Sequence, residues 1–424
     1  MLTELRIENF RSFGKQVTAP LAPLTLVFGP NSGGKTSLLG ALGVLAQSQG
    51  SLWARDPDLS QGLAWKGRFV DLGSFTSAVH HHNITATMRL GLSGEYSDDA
   101  TPPISARIDW AIRYMSRANR AVVDAIQLES GGRTLDFQWR SGAKGIRDSS
   151  VPSANRGGND YYVVSDSENP TAVYRSPSEV FPSPISESKT LYHWMNECLR
   201  AFPKPYRDPT YLGPLRQRPD RFTVFERGST DTPGVDPSLT LLAEDEDLLD
   251  QVNEWLFRLG LHYTVHFDVM PFGRQGSVGE FLIMTLTDTR SGTQVSATDV
   301  GFGISQVLPI VISLVANKQS QILIEQPEVH LHPRLQASLG DLIVQSLQQG
   351  NQLFLETHSE HLMLRLMALV REGAIPPGNI STLYVLPGER GEASVRHLRL
   401  DVEGDFIDQW PGGFFDERQD LLGW

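Results

Sequence analysis

The stretch Pro23 to Ser37, PLTLVFGPNSGGKTS, constrains this chain more than any other. A short apolar run from Thr25 to Phe28 breaks into a glycine-rich turn. A helix should follow, because Leu38, Leu42 and Leu45 fall at i, i+4 and i+7 and so share one face. Gly29 to Thr36 reads G-x-x-x-x-G-K-T between that strand and that helix, which is the arrangement of a phosphate cradle. Gly29, Gly33 and Gly34 let backbone N–H groups of the loop, those of Asn31 and Ser32 among them, turn inward towards phosphate oxygens, and the helix N-terminus adds a favourable dipole. Lys35 is expected at the β- and γ-phosphates, the Thr36 hydroxyl on magnesium, and Ser37 beside them. The expected ligands are ATP and Mg2+. The alternative, a chance glycine turn before a helix, requires the motif and both flanks to coincide.

Such a loop needs an acidic partner at the end of a buried strand. QILIEQPEVHLHP supplies one, since Ile322 to Ile324 lead into Glu325, Gln326, Pro327 and Glu328. Glu325 is the candidate for the metal's ligand shell. The plain alternative is a strand that merely ends in polar residues. Some 30 residues on, LFLETHSE ends another apolar strand at His358, at the edge where a γ-phosphate would lie.

The rest of the chain shows where these pieces sit. From about Thr87 to Arg140 the pattern alternates with period two between turn residues, as in an antiparallel layer inserted after the first helix. Residues 141–188 are rich in Ser, Gly, Pro and Asn and read as a surface loop. In EDEDLLDQVNEWLFRLG the acidic start and Gly260 mark a helix's two ends. After about residue 278 strands again alternate with helices, one stopped by Gly350 and one capped by Ser359, as in a mostly parallel sheet.

The longest apolar run, Val307 to Ala316, is too short to cross a bilayer, and the N-terminus carries charges every few residues, so a cytoplasmic protein is expected. One cysteine, Cys198, rules out an intrachain disulfide. A net charge of -12 argues against coating nucleic acid by bulk electrostatics, although a local basic patch stays open. Of the weaker candidates, His80, His81 and His82 read as surface, because three adjacent residues cannot all point one way. Arg216, Arg218 and Arg221 read as an exposed basic turn, with phosphate or DNA contact as the alternative.

Three stretches carry a family resemblance: LRIENFRSFGKQVTAPLAPLTLVFGPNSGGKTSLLGAL, ILIEQPEVHLHPRLQ and FLETHSEHLMLRL. They resemble the ATPase heads of the OLD-like branch of ABC-type ATPases, a branch related to the SMC proteins and to double-strand-break repair ATPases. The specific motifs cover about residues 1–46 and 296–373. The end, EGDFIDQWPGGFFDERQDLL, is similar to a C-terminal segment in a subset of such ATPases, many encoded near defence genes. The resemblance implies an α/β P-loop NTPase with an ABC-type head, a mixed central sheet, an inserted antiparallel β layer and a helical lobe. The implied divisions are 1–86 (P-loop part of the head), 87–270 (β layer, loop and helical region), 271–373 (second part of the head) and 374–424 (hairpin and tail).

It also implies that two heads sandwich two ATP molecules, with Gly301, Gly303 and Ser305 meeting the γ-phosphate held by the other copy. The family's Ser-Gly-Gly-type pattern reads Gly-Phe-Gly here, and a glycine loop that merely starts a helix is the alternative. Arg11 matches a basic position near the nucleotide in related heads, with a solvated arginine as the alternative. His330 and His332 fall in the loop expected to contact a second copy. Related heads read Asp-Glu-Pro where this chain reads Glu325-Gln326-Pro327. Glutamine orients water but accepts no proton, so slow hydrolysis is expected, with Glu328 as a fallback base. The whole-chain expectation is a homodimer or higher oligomer that switches with ATP and controls a separate effector such as a nuclease, in anti-phage defence or DNA maintenance, with DNA contact possible and no membrane. The alternatives are an OLD-type enzyme with its own nuclease activity and a transporter's ATPase subunit.

Overall fold

The computed structural model describes residues 1–53, 63–98, 101–116, 119–140, 161–167, 174–175, 194, 197–198, 200–202, 209–216, 222–225, 237–272, 279–296, 298–388 and 391–411. Most of the Ser/Pro-rich stretch 141–188, Arg218, Arg221 and the tail after residue 411 lie outside them. The strands run β1 (Leu2–Glu8), β2 (Val17–Pro20), β3 (Leu24–Phe28), β4 (Met88–Asp98), β5 (Thr101–Met115), β6 (Arg120–Ser130), β7 (Arg133–Arg140), β8 (Tyr161–Asp166), β9 (Tyr174–Arg175), β10 (Thr210–Leu212), β11 (Thr223–Phe225), β12 (Tyr263–Phe272), β13 (Gly279–Asp288), β14 (Gln294–Ser296), β15 (Gln321–Glu325), β16 (Gln352–Glu356), β17 (Ile380–Pro387) and β18 (Ala393–Leu398). The helices are α1 (Lys35–Trp53), α2 (Phe75–Ala78), α3 (Pro237–Glu244), α4 (Glu246–Arg258), α5 (Phe302–Ala316), α6 (Pro333–Gln348) and α7 (Glu360–Arg371). Among the described residues no helix is long and apolar enough to cross a membrane.

The chain forms two compact units, one of residues 1–209 and 381–398, the other of residues 210–380 and 399–424. In the first, an eight-stranded sheet runs β2-β1-β4-β5-β6-β7-β8-β9, and β4 to β7 realise the antiparallel layer that the alternation predicts. Its packed face carries Leu5, Ile7, Leu90, Leu92, Ile108, Trp110, Ile126 and Leu128, all buried. On the other face one charge is buried as well. Arg6 is 4% exposed and donates to Asp109 (2.7 Å), Ser93 Oγ (2.7 Å) and the Leu92 carbonyl (2.9 Å).

That network needs a gap in the sheet. Gly91 lies opposite Asp109, and a Cβ there would come within 1.9 Å of Asp109 Oδ1 and 2.9 Å of Arg6 Nε. Gly91→Ala is expected to separate the pair and cost roughly 3 kcal/mol, as breaking a buried ion pair does. The urea midpoint measures this, and a midpoint equal to wild type would refute the account.

In the same unit β3 is buried at every residue and lies beside the antiparallel pair β17-β18. Helix α1 buries Leu38, Leu42 and Leu45 as expected, and also Leu39, Ala41, Val44 and Ala46, so it is enclosed rather than striped.

The second unit holds parallel strands in the order β10-β15-β16. Helices α6 and α7 pack together, and a separate antiparallel sheet joins β11, β13, β12 and β14. The sequence's stop and start signals hold. Asp245 caps α4 by accepting from the Leu248 N–H (2.9 Å), and Ser359 caps α7 through Leu362 (3.0 Å). Gly260 and Gly350 follow α4 and α6 at φ of 77° and 82°.

Candidate functional site

The phosphate-loop residues belong to the first unit. Strand β3 ends at Phe28, and the chain leaves it through Gly29 at φ 143°, where a Cβ would sit 2.5 Å from the Val385 carbonyl oxygen. Gly34, at φ 108°, lies so close to Ser12 that its Cβ would come within 2.3 Å of Ser12 Oγ. Neither position tolerates a side chain, so the loop's curvature is set by packing on both flanks. Inside the loop the Gly33 N–H donates to the Pro30 carbonyl (3.1 Å), and Ser32 takes a left-handed φ of 59°.

Lys35 opens α1 and is 4% exposed. Its ammonium donates to the carbonyls of Gly29 (3.0 Å) and Pro30 (2.9 Å), which hold the charge within the loop. Asn31, Ser32 and Thr36 are exposed, while Ser37 is buried, its hydroxyl taking a hydrogen bond from Ser12 (3.2 Å). A loop whose glycines are packed against their flanks, a buried ammonium held by the loop's own carbonyls and an exposed hydroxyl at the helix start suit a nucleotide's phosphates and its magnesium.

Arg11 is exposed at φ 49°, in the turn Asn9 to Gly14 that ends on the loop through Ser12. That turn is pinned by two bonds: Arg11 N–H donates to Ala78 O (2.6 Å), and His80 donates from Nδ1 to Arg11 O (2.6 Å). His80 is therefore no surface residue. It is 8% exposed, and its ring fills the space over Gly14, where a Cβ would meet Nε2 at 2.7 Å. Left-handed backbone at His81 and His82 splits the run, leaving those two exposed. Among the described residues no group of three or more His, Cys, Asp or Glu is placed to hold a metal ion.

The acidic residues belong to the second unit. Every residue of β15 is buried, and Glu325 ends it in register with Glu356 of β16; the two are 6% and 3% exposed. Tyr211 of β10 donates its hydroxyl to Glu325. Gln326 then turns the chain at a left-handed φ of 46°, its N–H donating to the Glu356 carbonyl (2.7 Å). Glu328 reaches back to the end of β16, accepting from the Thr357 hydroxyl (2.8 Å) and the His358 backbone N–H (2.6 Å). Burial pushes the Glu328 carboxyl above its usual 4.5, and the His358 and Thr357 bonds and the Arg216 charge oppose that rise.

Arg216, expected on an exposed turn, is instead 8% exposed beneath this site and donates to the carbonyls of Glu325 (2.7 Å) and Gln326 (3.4 Å). Burial lowers its pKa to about 10, against the pull of Glu328 and Glu325. Sequence reasoning missed Tyr211 and Thr357 altogether. The one available signal was the triplet Thr210 to Leu212 before Gly213-Pro214, too short to read as a strand. In α5, Gly301 is the exposed N-cap residue and Ser305 is only 4% exposed. A Cβ on Gly303 would sit 3.0 Å from the His330 carbonyl, so the first turn of α5 lies against the loop after β15. His332 caps α6, accepting on Nδ1 from the Arg334 N–H (3.3 Å).

Residues 24–364 match a family described as "AAA domain, putative AbiEii toxin, Type IV TA system". No curated protein matches the chain. Among solved structures it is similar to an SMC head bound to the C-winged helix domain of ScpA, at 11% identity and a TM-score of 0.49 over 94% of this chain and 98% of that one. It is also similar to the SMC head domain from Thermotoga maritima (11%, TM-score 0.40, 94% and 99%) and to a Pyrococcus furiosus Smc head with an extended coiled coil, bound to the C-terminal domain of ScpA (10%, TM-score 0.43, 100% and 98%).

Proposed function

The chain belongs to the family described as "AAA domain, putative AbiEii toxin, Type IV TA system", and we propose that it is an α/β P-loop ATPase head of ABC type that works as an ATP-dependent switch with slow hydrolysis. The observation that carries the reading is the loop of Gly29 to Ser37, with two glycines that admit no Cβ and a buried Lys35 ammonium at its centre. In this reading the loop N–H groups and Lys35 would take the phosphates; Thr36 of the first unit and Glu325 of the second are each proposed as a ligand for Mg2+, which would neutralise phosphate charge. Gln326 would orient the attacking water, Glu328 would take its proton and His358 would reach the γ-phosphate; Arg11, in the first unit, would lie near the nucleotide. Gly301, Gly303 and Ser305 serve a second copy's nucleotide, so ATP drives self-association. The output is control of a separate effector such as a nuclease, in defence or DNA maintenance.

The purified chain is expected to bind a fluorescent ATP analogue, to associate with itself only when ATP and magnesium are present, and to turn over below about 1 per second, the low end of enzymes generally. Equilibrium binding, light scattering and phosphate release measure the three. Absence of ATP binding sinks the whole reading, brisk turnover sinks the slow switch, and a monomer at saturating ATP sinks the self-association.

A further inference from the structure

Arg216 and Gln306 lock to each other inside the second unit. The Arg216 N–H donates to Gln306 Oε1 (3.1 Å), and Gln306 Nε2 donates back to the Arg216 carbonyl (2.8 Å). Gln306 is 0% exposed and sits in the second turn of α5. The Arg216 guanidinium continues the path to the carbonyls of Glu325 and Gln326, the two residues that bracket the left-handed bend after β15. One buried residue thus joins the beginning of α5 to the peptide that aims Gln326.

We infer that Arg216, locked by Gln306, is a positioning residue for hydrolysis, holding the Glu325–Gln326 peptide in its bend and tying that bend to the first turns of α5. This rests on the ATPase reading above. Three observations favour it over a purely structural role. Left-handed backbone at a glutamine is strained and persists only where its surroundings impose it, and Arg216 grips the carbonyls on both sides of that residue. Its Nε–H is buried with no acceptor among the described residues, so the group is poorly satisfied as a stabilising element. Gln306 lies one residue beyond Ser305, so movement in the segment expected to meet a second copy's nucleotide reaches Gln326 through two hydrogen bonds and one guanidinium.

The test compares full-length Arg216→Lys, Arg216→Met and Gln306→Leu with wild type, measuring equilibrium ATP binding, single-turnover cleavage and thermal unfolding. All three variants are expected to bind ATP close to wild type, because the phosphate loop is untouched. Cleavage should fall roughly a hundredfold in Arg216→Met and Gln306→Leu, the scale of a misplaced reacting group. Arg216→Lys should lie between, since an ammonium reaches one carbonyl where the guanidinium reaches two. If Arg216→Met does not fold, Gln306→Leu, which introduces no charge, and Arg216→Lys decide the matter. Cleavage at the wild-type rate in both, or cleavage lost only in proportion to folded protein, overturns the inference while the ATPase reading stands. A wild type that binds ATP without cleaving it overturns both.

Discussion

Lys35→Ala is expected to weaken ATP binding by roughly a hundredfold or more, since charge-assisted contacts of about 1.5–3 kcal/mol each are lost from the phosphates. The effect should be confined to nucleotide. In the free chain the Lys35 ammonium donates to the loop carbonyls of Gly29 and Pro30, contacts within its own loop, so the variant should keep its thermal midpoint near wild type. Titration with a fluorescent ATP analogue, alongside thermal unfolding, separates the two effects. An Ala variant that binds ATP as wild type does would show that this ammonium does not face the phosphates, and the functional reading would go with it.

Glu328→Gln is the second large effect. Removing the proposed proton acceptor should lower single-turnover cleavage by roughly a hundredfold, within the usual range for a general base, while ATP stays bound. The pH dependence supplies a sharper signature. Burial holds the Glu328 carboxyl above 4.5, and the base must be ionised to act, so wild-type turnover should rise with pH along a limb lying above that value. That limb should be missing from the residual activity of Glu328→Gln. For stability the same shift has the opposite sense: the protonated form suits the fold, so this group's contribution is complete below 4.5 and declines as pH rises through the folded value. Gln326→Glu should raise turnover roughly tenfold by placing a carboxylate next to Glu325, the proposed metal ligand. Turnover indifferent to Glu328 and to pH in this window would remove it as the base.

The phosphate loop was legible because strand, loop and helix are contiguous, so motif and flanks reinforce each other within some fifteen residues. Caps were legible for a similar reason: Ser359, Gly260 and Gly350 act on neighbours three or four positions away. Arg216 was not legible. Its partners lie 90 to 110 positions away in sequence, and the strand that carries it inward is three residues long. His80 illustrates a different limit. Three identical residues in a row give no periodicity, and only the left-handed backbone at His81 separates the buried ring from its exposed neighbours. For Glu328 the sequence offered a carboxylate near a strand end, but its burial arises from the close register of β15 with β16.

The first unit is interrupted in sequence: it is completed by residues 381–398, which follow residues 210–380 of the other. On a translating ribosome, at about 5–20 residues per second, β3 would wait roughly twenty to seventy seconds for its neighbour β17. Gly29 takes its curvature against Val385 of that late strand, so the phosphate loop cannot set before β17 has been made. Nascent chains should therefore be blind to ATP until residues 381–398 have been made, and nucleotide capture then reports that the first unit has closed.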